Sequence, residues 1–314
     1  MFPVLNLGFI RVSMYSLMVV VGIIAYAIWT IQAVEKREKI ETKTVNRLLI
    51  VSAFGFVALG LFALLFNSLF HSIERGYPVI GGITWLGGVI GAFPLMVFLI
   101  HKFVPPLRGR ALQYFNLLVP GIVLAHGFGR IGCFLGGCCY GDVTDSVFGV
   151  VFPAGSLAAQ KYPGADGASL PVLPTQLFEA CFEFLLFVVM LIGYRRLKKH
   201  FLEMYLFSYG TFRFLLEFVR GDDRGETGFF FTPSQVMSLI LIIAGVLVVL
   251  YSKGLVFKRL HAKMEQLAAT PPFYPSKYKD NNVHLLRELK RLQEDGIISE
   301  ADFEEKKKDI LNRM

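Results

Sequence analysis

Seven runs of predominantly apolar residues, each about 20 residues long, constrain the fold of this chain more than any other feature. They cover approximately residues 13–34, 47–70, 79–101, 112–135, 176–194, 201–219 and 233–252. A helix of this length crosses a hydrocarbon core of about 30 Å. Hydrophobic residues make up 54% of the chain, which is more than the 45–50% or so of soluble domains. The sequence therefore predicts an all-α, polytopic bundle of seven transmembrane helices.

The distribution of basic residues predicts the orientation of this bundle. Sixteen lysines and arginines lie close after the first, third, fifth and seventh runs, counted after the seventh run only as far as Lys263, whereas five lie on the opposite side. Positively charged loops are retained in the cytoplasm, so we expect the N-terminus outside and the C-terminus in the cytoplasm. The same loops account for the formal charge of +8. We therefore do not expect nucleic acid as a partner.

The C-terminal part of the chain differs in composition from the apolar runs. Residues 256–282 include a proline-bearing stretch, and residues 283–314 are charged and amphipathic, which favours two short helices joined around Gly296. The predicted domains are a membrane domain at 1–255, a linker at 256–282 and an α-helical hairpin at 283–314. This hairpin is similar to the bacterial short C-terminal domain, which indicates an interaction or assembly module.

The segment from His126 to Gly141, HGFGRIGCFLGGCCYG, begins inside the fourth apolar run and places an arginine there. An ionisable side chain at membrane depth is costly unless it is paired or hydrated, so Arg130 is a candidate functional residue. His126, Arg130 and Cys133 share one helical face because they are spaced i, i+4 and i+7. The structural alternatives are a satisfied buried histidine and an arginine that caps backbone carbonyls.

A second polar stripe lies in the sixth run. The residues that recur there at spacings of four, four and three are Tyr209, Arg213, Glu217 and Arg220. In the simplest interpretation Arg213 and Glu217 only neutralise each other. Two arginine-bearing stripes in one bundle also favour a pocket for an anion, because guanidinium groups bind phosphate with a fixed fork of donors. Glu179 and Glu183 in the fifth run are candidates for the countercharge.

Other features of the apolar runs leave two interpretations open. Tyr15 is either an interfacial aromatic anchor or part of a binding site. The glycines of the third run favour either close helix packing or the approach of a ligand to the backbone. These glycines are Gly81, Gly82, Gly87, Gly88 and Gly91.

Three of the four cysteines lie between Cys133 and Cys139. Their spacing matches neither a disulfide scaffold nor a paired CxxC zinc pattern, so we expect no metal and no cofactor. A thiolate stabilised by Arg130 would be reactive. This leaves open a thiol-based redox reaction or another lipid transfer at Cys133, Cys138 and Cys139. A non-catalytic membrane protein with structural buried charges is a third interpretation.

Five motifs together resemble those of the prolipoprotein diacylglyceryl transferase family. They are RVSMYSLMVVVG, WLGGVIG, GRIGCFLGGCCYG, PTQLFEA and YGTFRFLLEFVRGDD. The resemblance covers roughly Met14 to Ser252. It implies a multi-pass enzyme of the bacterial inner membrane with its active site toward the outer leaflet. Such enzymes transfer a diacylglyceryl group from phosphatidylglycerol, a membrane lipid, to the lipobox cysteine of a prelipoprotein signal peptide, and release glycerol phosphate.

The resemblance also implies site residues. The expected catalytic residues are Arg130, Arg213, Glu217, Tyr209 and Tyr15. The expected substrate-binding residues from the resemblance are Gly129, Gly141 and Arg220. The polar face of the fourth run adds Cys133 and His126 to this group, and His126 is also a candidate base for the substrate thiol. Arg130 and Arg213 are expected to clamp the lipid phosphate, with Glu217 orienting them. The chain departs from the family at Cys133, Cys138 and Leu86, where the family usually has asparagine, glutamate and histidine.

Overall fold

The computed structural model of the chain describes residues 4–6, 11–81, 84–222, 230–269, 286, 289–294 and 298–312. The chain divides into two compact units, Met1–Ala269 and Thr270–Met314. The larger unit is mostly helical, and a pair of three-residue antiparallel strands precedes its first helix, β1 (Val4–Asn6) and β2 (Arg11–Ser13).

The long helices of the larger unit follow the apolar runs of the sequence. In chain order the helices of this unit are α1 (Met14–Thr30), α2 (Thr42–Arg75), α3 (Trp85–Phe103), α4 (Ala111–Gly136), α5 (Leu157–Lys161), α6 (Thr175–Ile192), α7 (Tyr194–Leu197), α8 (Phe201–Leu216), α9 (Pro233–Ser252) and α10 (Lys258–Ala269). A π-helical segment, Ile31–Arg37, extends α1, and a 3-10 turn, Glu217–Val219, extends α8.

Six helices in the described part of the chain are long and apolar enough to cross a membrane: extended α1, α2, α3, α4, α6 and α9. They correspond to six of the seven predicted runs, so the predicted helical, multi-pass membrane architecture is confirmed. The counterpart of the sixth run is α8, which is only 16 residues long. The seventh span therefore stays a prediction.

The outward face of α2 shows why the chain needs a membrane. Its large apolar side chains that are at least half exposed are Ile50, Phe54, Val57, Leu61, Leu65, Leu69 and Ile73. They form an apolar stripe along a 34-residue helix. A stripe of this size would not be stable in water, and lipid chains are its natural solvent.

α4 lies at the centre of the bundle and packs between α1 and α6. Close approach of α1 depends on Gly22, because a Cβ at this position would lie 2.9 Å from the backbone oxygen of Ala125. The indole N–H of Trp29 on α1 donates to the Leu117 carbonyl of α4 at 2.8 Å. Small residues let helix backbones approach closely in lipid, where the hydrophobic effect does not drive helices together. These contacts fix α4, which carries Arg130.

The glycines of the third run pack against α2. Gly87, Gly88 and Gly91 all face α2 side chains, and a Cβ at Gly88 would lie 2.7 Å from the Leu59 carbonyl oxygen. These three glycines therefore serve helix packing, which was one of the two interpretations open from the sequence. Gly82 lies outside the described residues.

The loop between α4 and α6 has a small core of its own. Its buried apolar residues are Tyr140, Phe152, Ala158 and Val172. Isolated bridges pair Val172 with Val143 and with Val150. This loop is thus ordered by its own packing, and Phe134 at the end of α4 packs against its core.

The described residues after α9 are mostly helical. The start of the predicted linker forms α10, which contacts the α3–α4 connection through a hydrogen bond from Arg110 Nη2 to the Ala268 carbonyl at 3.1 Å. In the second unit, residues 289–294 are helical and α11 spans Glu300–Asn312. The residues 270–285 and 295–297, which include Gly296, lie outside the described residues. The hairpin and the domain division stay predictions.

Candidate active site

Arg130 is held inside the bundle by side chains from two helices. Its Nε donates to Nε2 of His126, one turn earlier on α4, at 3.1 Å. Its Nη2 lies 2.9 Å from Oε1 of Glu179 on α6, and the Arg130 side chain is 10% exposed. A buried guanidinium needs such partners, because an unpaired charge at membrane depth costs several kcal/mol. The position of Arg130 is therefore set by α6 as well as by its own helix.

The contacts of His126 define its tautomer. Because a guanidinium can only donate, Nε2 of His126 accepts, and the proton of the neutral ring lies on Nδ1. Nδ1 lies 2.7 Å from Oε1 of Glu183. Trp85 stacks on the imidazole with a centroid distance of 4.1 Å. With its lone pair directed at Arg130, this histidine orients the guanidinium, and its role as a base for the substrate thiol stays a prediction.

Glu179 connects the two polar stripes. The carboxylate is fully buried, and its Oε1 accepts a hydrogen bond from the Tyr209 hydroxyl at 2.7 Å in addition to its contact with Arg130. Its Oε2 lies 3.9 Å from Nη1 of Arg220. The Glu179 carboxylate on α6 thus connects Arg130 on α4 with Tyr209 on α8. Of the two candidates for the countercharge, Glu179 and Glu183, it is Glu179 that pairs with Arg130.

A second charged cluster lies at the end of α8. Arg213 Nη1 is 2.6 Å from Glu217 Oε2, and Arg213 Nη2 donates to Ser234 Oγ at 3.1 Å. Thr232 Oγ1 donates to the other oxygen of Glu217 at 2.8 Å. Arg213 and Glu217 therefore form the mutually neutralising pair of the simplest interpretation, and the start of α9 completes their hydrogen bonds.

Arg220 and Gly141 meet through their backbones. The two residues form an isolated antiparallel bridge, and a Cβ at Gly141 would lie 2.6 Å from the Val219 carbonyl oxygen. The Arg220 guanidinium binds both carboxylate oxygens of Asp222, each at 2.8 Å. Gly141 thus permits the contact between the two segments, which explains a requirement for glycine without any contact to a substrate.

A cavity of about 530 Å³ lies between α1, α2 and α4, and Arg130 is one of its lining residues. Most of its wall is apolar, from residues such as Val19, Ile23, Phe56 and Leu59. The predicted site residues that line it are Tyr15, His126, Gly129, Arg130 and Cys133. A Cβ added to Gly129 would meet nothing within 4 Å, so this glycine leaves room in the cavity. A largely apolar cavity with a few polar groups is typical of a ligand site.

The remaining predicted residues lie behind this cavity. Tyr209, Arg213, Glu217, Arg220 and Gly141 are not among its lining residues. Tyr209 and Arg220 reach it indirectly, through Glu179. The structure therefore places Arg130 and Arg213 in separate clusters instead of on one phosphate-sized site, and their catalytic roles stay predictions.

Three cysteines line the cavity beside Arg130: Cys133, Cys138 and Cys139. None of them forms a disulfide, and the fourth cysteine, Cys181, is exposed on α6. A hydrogen bond with the Cys133 thiol lowers the pKa of the Cys138 thiol, but a hydrogen bond with Cys139 and burial outweigh it and raise this pKa to about 12. Cys138 is therefore a protonated thiol at neutral pH, and not the reactive thiolate that proximity to Arg130 suggested.

A family model described as prolipoprotein diacylglyceryl transferase matches residues 3–251. The chain belongs to this family. The match covers the whole bundle and includes every predicted site residue. The family resemblance of the sequence motifs is thereby confirmed, whereas the similarity of the tail to a short C-terminal domain stays a prediction.

Curated relatives in the prolipoprotein diacylglyceryl transferase family include two from clostridia. The phosphatidylglycerol–prolipoprotein diacylglyceryl transferase 2 of Clostridium perfringens is 38% identical over 181 residues, which are 57% of this chain and 63% of that protein. The phosphatidylglycerol–prolipoprotein diacylglyceryl transferase of Clostridium tetani is 30% identical over 249 residues, which are 76% of this chain and 92% of that protein. The chain thus spans just under two thirds of the first relative and nearly all of the second.

Several residues of the site escaped the sequence analysis. Trp85 stacks on His126, although the only signal in the sequence was its place at the start of the WLGGVIG motif. Thr232 and Ser234 complete the Arg213–Glu217 cluster. The TPSQ sequence around them predicts only a helix start, and Thr232 and Gln235 do form the capping box of α9. The spacing of residues along the sequence does not indicate contacts between different helices.

Proposed function

We propose that this chain transfers a diacylglyceryl group from phosphatidylglycerol to the lipobox cysteine of a prelipoprotein. The thiol sulfur forms a thioether with the glyceryl carbon, and glycerol phosphate leaves. The names of the clostridial relatives support this activity. The observation that carries the proposal is Arg130, a buried guanidinium in the wall of a largely apolar cavity of about 530 Å³.

Arg130 has the chemistry that the departing group requires. The phosphate of the lipid headgroup is anionic, and more negative charge develops on it as the ester bond breaks. A fixed guanidinium stabilises that charge without reorganising, because His126 and Glu179 already hold it in place. The apolar wall formed by α1 and α2 provides the surface for acyl chains, and Gly129 keeps the space next to the guanidinium open.

The residues behind the cavity act on the reaction through Arg130. Tyr209 and Arg130 share the same oxygen of Glu179, so the Tyr209 hydroxyl fixes the carboxylate that orients the guanidinium. Arg213 and Glu217 fix the end of α8, from which Arg220 approaches Glu179. Tyr15, at the start of α1, lines the cavity and is in reach of the headgroup.

The proposed setting is the bacterial inner membrane, with seven spans, the N-terminus outside and the C-terminus in the cytoplasm. The excess of basic residues in alternate connections supports this orientation. In that orientation the cysteine-rich end of α4 and the small core at Tyr140 and Phe152 face outward. The substrate headgroup then enters from the outer leaflet, and the C-terminal helices lie in the cytoplasm as an interaction module.

Replacement of Arg130 tests the proposed function. We expect Arg130→Ala to reduce diacylglyceryl transfer from labelled phosphatidylglycerol to a lipobox peptide by at least 100-fold, and Arg130→Lys to restore only part of it, because lysine lacks the planar fork. The control is Arg196→Ala, which removes an exposed arginine from α7. Full transfer by Arg130→Ala in membranes would overturn the proposal.

A further inference from the structure

The three thiols beside Arg130 form a compact set of donors. The Sγ atoms of Cys133, Cys138 and Cys139 all lie within 4.8 Å of one another. No fourth histidine, cysteine, aspartate or glutamate joins this cluster in the described part of the chain. All three residues line the same cavity as Arg130. The cluster therefore has three ligand atoms from the protein and an open side toward the substrate space.

The backbone around the cluster is held in a specific conformation. Cys139 has a φ of +65°, in the left-handed region that residues with a Cβ rarely adopt. Two side chains of α6 fix this turn: Gln176 Nε2 donates to the Cys138 carbonyl at 2.6 Å, and Thr175 Oγ1 donates to the Cys139 carbonyl at 2.8 Å. In an extended chain adjacent side chains point to opposite sides. This turn instead brings the thiols of Cys138 and Cys139 within 4.8 Å of each other.

This donor set matches a zinc site of the catalytic type. Thiolate sulfur binds zinc at about 2.3 Å, so two ligands of a tetrahedral ion are about 3.8 Å apart. Small side-chain rotations bring thiols within 4.8 Å to that separation. Structural zinc sites have four protein ligands, whereas catalytic sites have three and keep the fourth position open. Three cysteines at the wall of a substrate cavity fit the second class.

The proposed reaction also needs a group that deprotonates the substrate thiol. A free cysteine is mostly protonated at neutral pH, and the thiolate is the nucleophile. Among the described residues that line the cavity there is no carboxylate, and the Nε2 lone pair of His126 is directed at Arg130. A metal ion removes this need for a base, because a coordinated thiol loses its proton outright.

We propose that Cys133, Cys138 and Cys139 bind one zinc ion, and that the lipobox cysteine becomes its fourth ligand. This inference rests on the proposed transferase function. The substrate thiol releases its proton to water at the outer face when it binds. A sulfur electron pair then forms the C–S bond to the glyceryl carbon, while the C–O bond to phosphate breaks and its electrons leave on glycerol phosphate. Zinc keeps its oxidation state, and the neutral thioether, a weak ligand, dissociates.

The charges around the cluster suit this arrangement. The three protein thiols lose their protons when zinc binds. Zinc with four thiolates then carries two negative charges, and the guanidinium of Arg130 lines the same cavity, one helical turn before Cys133. The spacing of these cysteines is not the paired CxxC pattern, and for this reason the sequence led us to expect no metal.

The metal content of the purified full-length protein tests the site. We expect about one zinc ion per chain in the unmodified protein and in Cys181→Ser, which removes only the exposed thiol. The triple variant Cys133→Ser, Cys138→Ser and Cys139→Ser is expected to retain less than a tenth of it, while eluting as a folded protein in detergent. Zinc retained by this variant, copper in place of zinc, or a disulfide among the three cysteines would each overturn the assignment.

Cobalt substitution tests the open position without any variant. Cobalt(II) at three thiolates gives strong thiolate-to-metal absorption, and we expect a lipobox peptide with cysteine to shift it, whereas a peptide with alanine at that position does not. Removal of zinc by a chelator should lower transfer at least tenfold, and added zinc should restore it. Transfer by metal-free protein overturns the zinc proposal and leaves the transferase function intact. A peptide-specific shift without any transfer by the zinc-loaded protein overturns the transferase function and leaves the site in place.

Discussion

Glu179 on α6 lies 2.9 Å from Arg130 on α4 and joins the central helix to the rest of the site. The carboxylate is fully buried, and the same oxygen accepts a hydrogen bond from Tyr209. Arginine and glutamate are tolerated at this depth because each satisfies the other. This pair fixes the direction in which the Arg130 guanidinium faces the cavity. The proposed binding of the lipid phosphate depends on that direction.

Glu179→Gln should impair both stability and transfer. Removing one member of a buried ion pair leaves the other uncompensated, which costs about 3 kcal/mol or more. We expect a lower unfolding temperature in detergent and at least a tenfold loss of transfer. The matched control is Glu183→Gln, which removes another fully buried carboxylate but one whose contact is with His126. Equal losses in the two variants would contradict a specific role of Glu179 in orienting Arg130.

Gly129→Leu should separate folding from activity. A Cβ at Gly129 meets nothing within 4 Å, so the fold is expected to tolerate leucine, which also has the better helix propensity by almost 1 kcal/mol. The same side chain fills the space next to Arg130 and should raise the KM for phosphatidylglycerol. Gly22→Leu is the opposite case, because its Cβ would lie 2.9 Å from the Ala125 oxygen and force α1 from α4. Unchanged kinetics of Gly129→Leu would show that the lipid does not use this cavity.

Thr232→Val should weaken the link between α8 and α9. The Thr232 hydroxyl accepts from the Gln235 backbone N–H at 3.3 Å and donates to Glu217 at 2.8 Å. Loss of a helix cap and of a hydrogen bond to a carboxylate costs about 1–2 kcal/mol each. We expect a lower unfolding temperature for Thr232→Val and near-normal behaviour for Thr232→Ser, which keeps the hydroxyl. A valine variant as stable as the original chain would argue against the role of this contact.

The orientation of the bundle is open to a labelling experiment. Asp145, in the loop after α4, and Lys199, before α8, are both exposed and lie on opposite sides in the predicted topology. A membrane-impermeant maleimide should label Asp145→Cys but not Lys199→Cys in cells whose outer barrier has been opened, and both after lysis. The unmodified chain corrects for its native cysteines. Labelling of Lys199→Cys before lysis would contradict the orientation proposed from the basic loops.

Patterns among neighbouring residues of the sequence were sufficient to predict the long helices and the residues that share one helical face. Apolar runs of membrane length predicted where the long helices lie, and the helical period placed His126, Arg130 and Cys133 on one face, because both depend only on neighbouring residues. The shortness of α8 was less visible, since its apolar run continues into a 3-10 turn after Leu216.

The contacts between side chains of different helices could not be predicted from such local patterns. Nothing in the spacing of α6 indicates that Glu179 meets both Arg130 and Tyr209, or that Arg213 pairs away from the cavity. These contacts depend on how each helix is rotated and how closely glycines such as Gly22 let it approach. The gathering of three thiols likewise depends on a left-handed turn at Cys139 that side chains of α6 hold. Such contacts are a property of packing, because they join residues that lie far apart along the chain.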